Sequence, residues 1–275
     1  MPFRNIVRPN HVRRIVAGQP QLVYNGGPLL ANVEATTIYW GSAWQTDPLR
    51  AQLDGFFDFV VSSSLVDQLT EYNVPGFSIG HGRHVASVQI VSDPPAIVDD
   101  TQIQTFVQQL ITAGTVPAQD ANSLYFVFTP GGVTVTLQGS ASCQQFCGYH
   151  NSPDGNLFYA VVPYANCNGC QFAGNLLDSM TVIASHEFCE AITDPVPGAG
   201  WYDNANGEIG DICEGSNKVI NMAQIAAGTV YTVSGSASAD ATGVITASLT
   251  FTPPPPPGQS YMVQKEWSNA QGACV

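Results

Sequence analysis

In the stretch His186-Glu187-Phe188-Cys189-Glu190, an imidazole and a carboxylate stand four residues apart. On a helix that spacing puts both on one face about one turn apart, where a single divalent cation can bridge them. Glu187, next to the first ligand, is expected to point toward the open side of such a site and to take a proton from a water on the ion. A third ligand has to come from another segment. Gly207-Glu208-Ile209-Gly210-Asp211 offers two carboxylates, 22 and 25 residues beyond His186. Asp211 or Glu208 is therefore the expected third ligand, and the other orients His186 through its second ring nitrogen.

Other candidates fit less well. Asp194 lies two helical turns from His186, about 12 Å of rise, and reads as a cap or a bend. His150 would restore a set of two imidazoles and one carboxylate. His81 and His84, three apart across Gly82-Arg83, read as surface residues. Asp203 to Glu208 lacks the full pattern of a calcium loop and reads as a turn. Charge bears on the ion: two carboxylate ligands formally neutralise Zn²⁺, which then polarises its bound water less. Zn²⁺ is the expected cofactor, and Mn²⁺ or Ca²⁺ are the alternatives that an oxygen-rich site suits.

The helix carrying these groups is expected from Asn175 to Thr193, ending where Pro195 disfavours helical backbone at Asp194. Val182, Ile183, Phe188, Ala191 and Ile192 would bury its remaining surface. Val33 to Trp40 and Asn156 to Pro163 read as strands, and Pro48 to Leu69 and Asp100 to Ala113 as amphipathic helices. Leu124 to Thr129 and Val133 to Leu137 read as a hairpin across Pro130-Gly131-Gly132. Residues 1–27 read as an irregular arm and 28–275 as one domain. Within that domain, 219–258 reads as an inserted β-hairpin with a polyproline spacer at Pro253 to Pro257. The fold class is α+β, a mixed twisted sheet backed by helices with a loop-rich C-terminal part.

Composition narrows the function. Net charge is −13, and four of the eight Lys and Arg lie in the first fourteen residues. A body this acidic repels phosphate backbones, so a nucleic-acid partner is not expected. Apolar stretches such as Leu157 to Ala165 fall well short of the ~18 residues of a membrane span. Only 11% of residues are charged and seven are Cys, a mixture that points to an oxidising compartment and a secreted protein. Met1 to Pro20 lacks the apolar core of a secretory signal peptide, which leaves open a start after cleavage or another export route.

Cys143-x3-Cys147 and Cys167-x2-Cys170 fit either a four-thiolate zinc knot or disulfides, and the composition favours disulfides. Cys213 and Cys274 would make a third pair, tying the candidate site loop to the C-terminus. Cys189 is then left over, as a small buried apolar residue.

Several of these residues also carry a resemblance. Ser185-His186-Glu187-x2-Glu190-x2-Thr193-Asp194-Pro195, Gly200-Trp201-Tyr202-Asp203, Glu208-x2-Asp211-x-Cys213 and the ending Glu266-Trp267-Ser268-Asn269 to Cys274-Val275 resemble a group of bacterial secreted proteins with a zincin-like motif. The helix motif itself is similar to the His-Glu-x-x-His of metalloproteases, with Glu in place of the second His. More distantly, Gly27-Pro28-Leu29-Leu30, Cys143-x3-Cys147-Gly148-Tyr149-His150 and the late cysteines resemble the plant phosphate-induced, EXORDIUM-like extracellular proteins. The resemblance implies export and bonding of Cys143, Cys147, Cys167, Cys170, Cys213 and Cys274. It also implies that the scaffold can exist without the metal chemistry, since the plant proteins do not keep the His-Glu pair.

The expected function is hydrolysis of a peptide or protein substrate by a metal-activated water with Glu187 as general base. The alternative is a non-catalytic extracellular binding or cell-surface protein in which the helix carries a structural ion or none.

Overall fold

The computed structural model describes residues 6–7, 19–167, 169–171, 174–221, 235–239, 245–249 and 260–275. The chain begins with two short strands, β1 (Ile6–Val7) and β2 (Val23–Tyr24), followed by β3 (Glu34–Trp40) and the helices α1 (Leu49–Val60) and α2 (Ser64–Leu69). β4 (Arg83–Ile90) and β5 (Ile97–Asp99) lead into α3 (Asp100–Thr112). Then come β6 (Ser123–Thr129), β7 (Thr134–Leu137), β8 (Ser140–Ala141), β9 (Gly148–Asn151) and β10 (Tyr159–Pro163). The helix α4 (Leu176–Thr193) precedes β11 (Trp201–Tyr202), β12 (Asn217–Asn221), β13 (Gly235–Ala239), β14 (Ile245–Leu249), β15 (Ser260–Gln264), β16 (Trp267–Ser268) and β17 (Ala273–Cys274). The chain divides into a unit of Met1–Ile220 with Tyr261–Val275 and a unit of Asn221–Ser260.

In the larger unit the frame is a mixed sheet of order β1-β9-β10-β6-β3-β4. β4, β3, β6 and β10 run parallel, and β9 turns back antiparallel against β10. β6 and β10 are buried at every residue, as strands in the middle of a parallel sheet covered on both faces must be. Alternation along each strand decides which side chains meet which layer. Ile38, Trp40, Tyr125, Val127, Tyr159, Val161 and Tyr149 share a core with Ile103, Val107 and Leu110 of α3. Their neighbours face the other layer, where Phe57 of α1 lies 4.5 Å from Phe126 between ring centroids and α4 lies along β9 and β10. The same alternation sends Tyr149 to the α3 side, where its hydroxyl donates to Asp100 at 2.6 Å, and His150 to the α4 side.

Every residue of α4 from Ser179 to Thr193 is buried, as befits a helix with no solvent face. Asn175 caps its start by accepting from the Asp178 N–H. β12 and β15 pair with each other, and β15 covers the helix: the Gln264 N–H donates to Ser185 Oγ and Thr181 Oγ1 to the Met262 carbonyl. Gly148 lets β9 approach, since a Cβ there would stand 2.6 Å from Ile183 Cγ2.

The architecture is α+β, as the sequence pattern predicts, with four differences in detail. β6 and β7 form no hairpin, because β3 and β10 occupy both edges of β6 and β7 joins β5 and β8 in a separate sheet. The predicted helix at 48–69 is two helices, with Ser63 capping the second. The predicted irregular arm contains strand residues, Val23–Tyr24 against β11 and Ile6–Val7 against β9. The insertion spans Asn221–Ser260 rather than 219–258, because Val219 and Ile220 belong to β12. Within it β13 and β14 pair antiparallel, and the polyproline run lies outside the described residues. Among the described residues no helix is long and apolar enough to cross a membrane.

Three disulfides join Cys143 to Cys167, Cys147 to Cys170 and Cys213 to Cys274. Cys189 is free and buried. The last bridge spans 61 residues, for which loop-closure entropy gives about 4 kcal/mol of stabilisation. Replacing Cys213 and Cys274 together by Ser should therefore lower the unfolding free energy in urea by up to about 4 kcal/mol. A loss under about 1 kcal/mol would show that the bridge does not constrain the chain in this way.

Candidate metal centre

Four segments meet on one face of α4. The helix contributes His186, Glu187 and Glu190, β9 contributes His150, the turn after α4 contributes Asp194, and the loop at 207–213 contributes Glu208 and Asp211. His186 Nε2 lies 3.0 Å from Glu190 Oε1, and the ligand atoms of His186, Glu190 and Asp211 all fall within 4.8 Å of one another. Glu190 Oε1 also accepts the Asp211 N–H at 3.1 Å, which draws the loop against the helix. Gly210 makes this approach possible, because a Cβ there would stand 2.6 Å from His186 Nδ1.

A second trio lies beside the first. His150 Nδ1 is 3.2 Å from Glu187 Oε2 and 3.5 Å from Glu190 Oε2. Its Nε2 is 3.1 Å from the Asp194 carbonyl and 3.4 Å from Glu208 Oε1. Thus Glu208 faces His150, and Asp211 is the carboxylate grouped with His186 and Glu190. Glu187 does not face an open side. It is buried, with Oε2 toward His150 and Oε1 toward β9, where a Cβ on Gly148 would stand 3.0 Å from it.

Asp194 acts as the predicted bend: its carboxylate accepts the N–H groups of Gly198, Ala199 and Gly200, fixing the turn after the helix. Asp203 likewise organises a turn, accepting from Ala205 and Asn206. His81 pairs with Asp67, and His84 lies between Asp58 and Thr37. The zinc-knot alternative for the four central cysteines gives way to two disulfides. Glu266, which the sequence offers only as part of the C-terminal resemblance and not as a site residue, is also wholly buried near this cluster. His186 opposes the upward push of burial on its carboxyl.

The donor set fits a cation. His150, His186, Glu187, Glu190 and Glu208 are 0% exposed, and of the cluster only Asp211 is part-exposed. Both nitrogens of His186, Glu187 Oε1, Glu190 Oε2 and both oxygens of Glu208 are buried without a hydrogen-bond partner. Each such atom costs on the order of 1 to 3 kcal/mol unless something compensates. The spacing between groups agrees around His150: hydrogen bonds between charged groups close to about 2.7–2.9 Å, whereas neighbouring ligands on a tetrahedral ion with bonds of about 2.1 Å stand roughly 3.4 Å apart. The 3.2 to 3.5 Å separations around His150 are nearer the second, and the 3.0 Å between His186 and Glu190 is nearer the first.

Without an ion, protons hold the cluster together. Burial depresses an imidazole, but Glu208, Glu187 and Glu190 around His150, and Glu190, Glu187 and Asp211 around His186, outweigh it and raise both rings. Burial raises the carboxyls of Glu187 and Glu208. It pushes Glu190 up as well, yet the two imidazoles hold that group at about 2.

Compared with known proteins, the chain matches no family model and no curated protein.

An entering cation must displace the protons that these raised groups retain. Its affinity should therefore fall as pH drops from about 8 to about 5, with protons released on binding. Chelator competition across that range and calorimetry in two buffers of different ionisation enthalpy check this. A pH-independent affinity without proton release would contradict it.

Proposed function

We propose that this chain is an exported, metal-dependent peptidase of the zincin type. What carries the reading is the convergence of His186, Glu190 and Asp211 from two segments on wholly or partly buried positions, with polar atoms that no protein group satisfies. A mixed sheet with the motif helix lying along it is what the zincin resemblance implies for the fold. Three disulfides support an oxidising compartment.

His186, Glu190 and Asp211 would hold a divalent cation, Zn²⁺ first and Mn²⁺ or Ca²⁺ as alternatives, which would supply Lewis acidity and a water of lowered pKa. With an ion held there, Glu187 would accept a proton from the attacking water as its oxygen adds to the peptide carbonyl, and would pass that proton to the amine that leaves as the C–N bond breaks. His150 steadies Glu187 through the 3.2 Å contact between Nδ1 and Oε2. Asp211, the part-exposed member of the cluster, marks the side from which substrate approaches.

The complete burial of His186, Glu187 and Glu190 favours a second reading, a non-catalytic extracellular protein in which the ion is structural. The two differ in what Glu187 does. In the peptidase, Glu187→Gln keeps the ion on His186 and Glu190 but lowers cleavage of a casein or peptide-library substrate by about 10²-fold or more, and chelation abolishes it. Chelation that lowers the melting temperature of a protein without any peptidase activity would establish the structural role instead.

A further inference from the structure

We infer that α4 and β9 build a second cation site, in which His150 Nδ1, Glu187 Oε2 and Glu190 Oε2 hold a divalent ion that shares the Glu190 carboxylate with the ion on His186. The inference rests on the metal site proposed above and extends it to a bridged pair.

The two oxygens of Glu190 are divided between the trios. Oε1 faces His186 Nε2 and takes the Asp211 N–H. Oε2 faces His150 Nδ1 at 3.5 Å and has no hydrogen-bond partner. A carboxylate arranged in this way bridges two ions with one oxygen on each. Glu187 gives Oε2 to the second ion and keeps Oε1 for a proton.

His150 is set up as a ligand through Nδ1. Its Nε2 lies 3.1 Å from the Asp194 carbonyl, an acceptor that requires the proton to sit on Nε2. Once an entering ion displaces the proton on Nδ1, the one on Nε2 stays with the Asp194 carbonyl and the Nδ1 lone pair points at Glu187 and Glu190. Glu208, whose Oε1 is 3.4 Å from Nε2, stands behind the imidazole, where a carboxylate raises ligand basicity.

Charge points the same way. One divalent ion on His186 is neutralised by Glu190 and Asp211, which leaves the carboxylates of Glu187 and Glu208 wholly buried. Among the described residues no Lys or Arg is ion-paired with Glu187, Glu190 or Glu208. Among those residues Arg83 pairs instead with Glu34. Without the ion a protonated His150 stands against both Glu187 and Glu208; once that imidazole gives up a proton to act as a ligand, two buried anions are left, which is costly, and a second divalent ion balances them.

The test is metal content by mass spectrometry on the full chain purified without chelator and saturated with Zn²⁺, together with electron paramagnetic resonance of the Mn²⁺-loaded protein. Two ions per chain and an exchange-coupled Mn²⁺ spectrum are expected in the wild type. His150→Asn should halve the count and restore the spectrum of isolated Mn²⁺. One ion per chain in the wild type, two ions without magnetic coupling, or an unchanged count in His150→Asn would overturn the second site and leave the first standing. No ion at all would overturn both. If His150→Asn does not fold, the wild-type count and coupling decide alone.

Discussion

Taking a carboxylate out of water costs several kcal/mol even after the surroundings relax, and here Glu187, Glu190, Glu208 and Glu266 are all withdrawn from it. Such a cluster can exist only if protons or cations occupy it. The layout around α4 follows from that demand. The helix exposes nothing beyond its first turn, so its three consecutive and near-consecutive polar groups have no solvent to turn to and must be answered from the sheet below and the loop beside them. His150 answers from the sheet, Asp211 and Glu208 from the loop.

Two glycines let those answers arrive at bonding distance. Gly148 brings β9 against Ile183 and Glu187, and Gly210 brings the loop against His186 and Glu190. The loop is then held from outside. Cys213 ties it to Cys274, the Gln264 side-chain amide donates to the Gly210 carbonyl, and the Trp267 backbone N–H donates to the Ile209 carbonyl. The C-terminal strands thus act as a brace on the segment that carries Glu208 and Asp211. That explains why a chain with so few charged residues keeps a well-defined C-terminus around its most polar interior point.

Much of this was legible in the sequence, and what was not has physical causes. α4 was readable because Asn175, Pro195 and the apolar run between them mark its ends and its burial. Helical spacing pairs His186 with Glu190 but leaves Asp211 and Glu208 as alternatives for the third carboxylate, and only the folded loop groups Asp211 with that pair. The direction of Glu187 was not readable, since spacing places a residue on a helix face but not against a strand from elsewhere in the chain. His150 entered only as an option, although the alternation of Tyr149 and His150 in β9 carries the signal that they face opposite layers. The false hairpin at β6 and β7 arose from a local turn signal at Pro130-Gly131-Gly132 that says nothing about edges already taken by β3 and β10. Glu266 carries no signal as a site residue beyond its place in the C-terminal resemblance: one carboxylate between Lys265 and Trp267 looks like surface until the chain folds over it.

The substitution that sets this helix apart from the His-Glu-x-x-His pattern then acquires a physical meaning. An imidazole at position 190 would offer one nitrogen to one ion and leave that ion more positive, hence a stronger Lewis acid. A carboxylate weakens the first ion by partly neutralising it, but presents a second oxygen on the far side. In this fold the far side is where β9 delivers His150, with the proton on the nitrogen that faces the Asp194 carbonyl. In the proposed bridged pair Glu190 would therefore trade polarising power at one centre for the capacity to join two, and the sheet register that places His150 beside it would make the exchange usable.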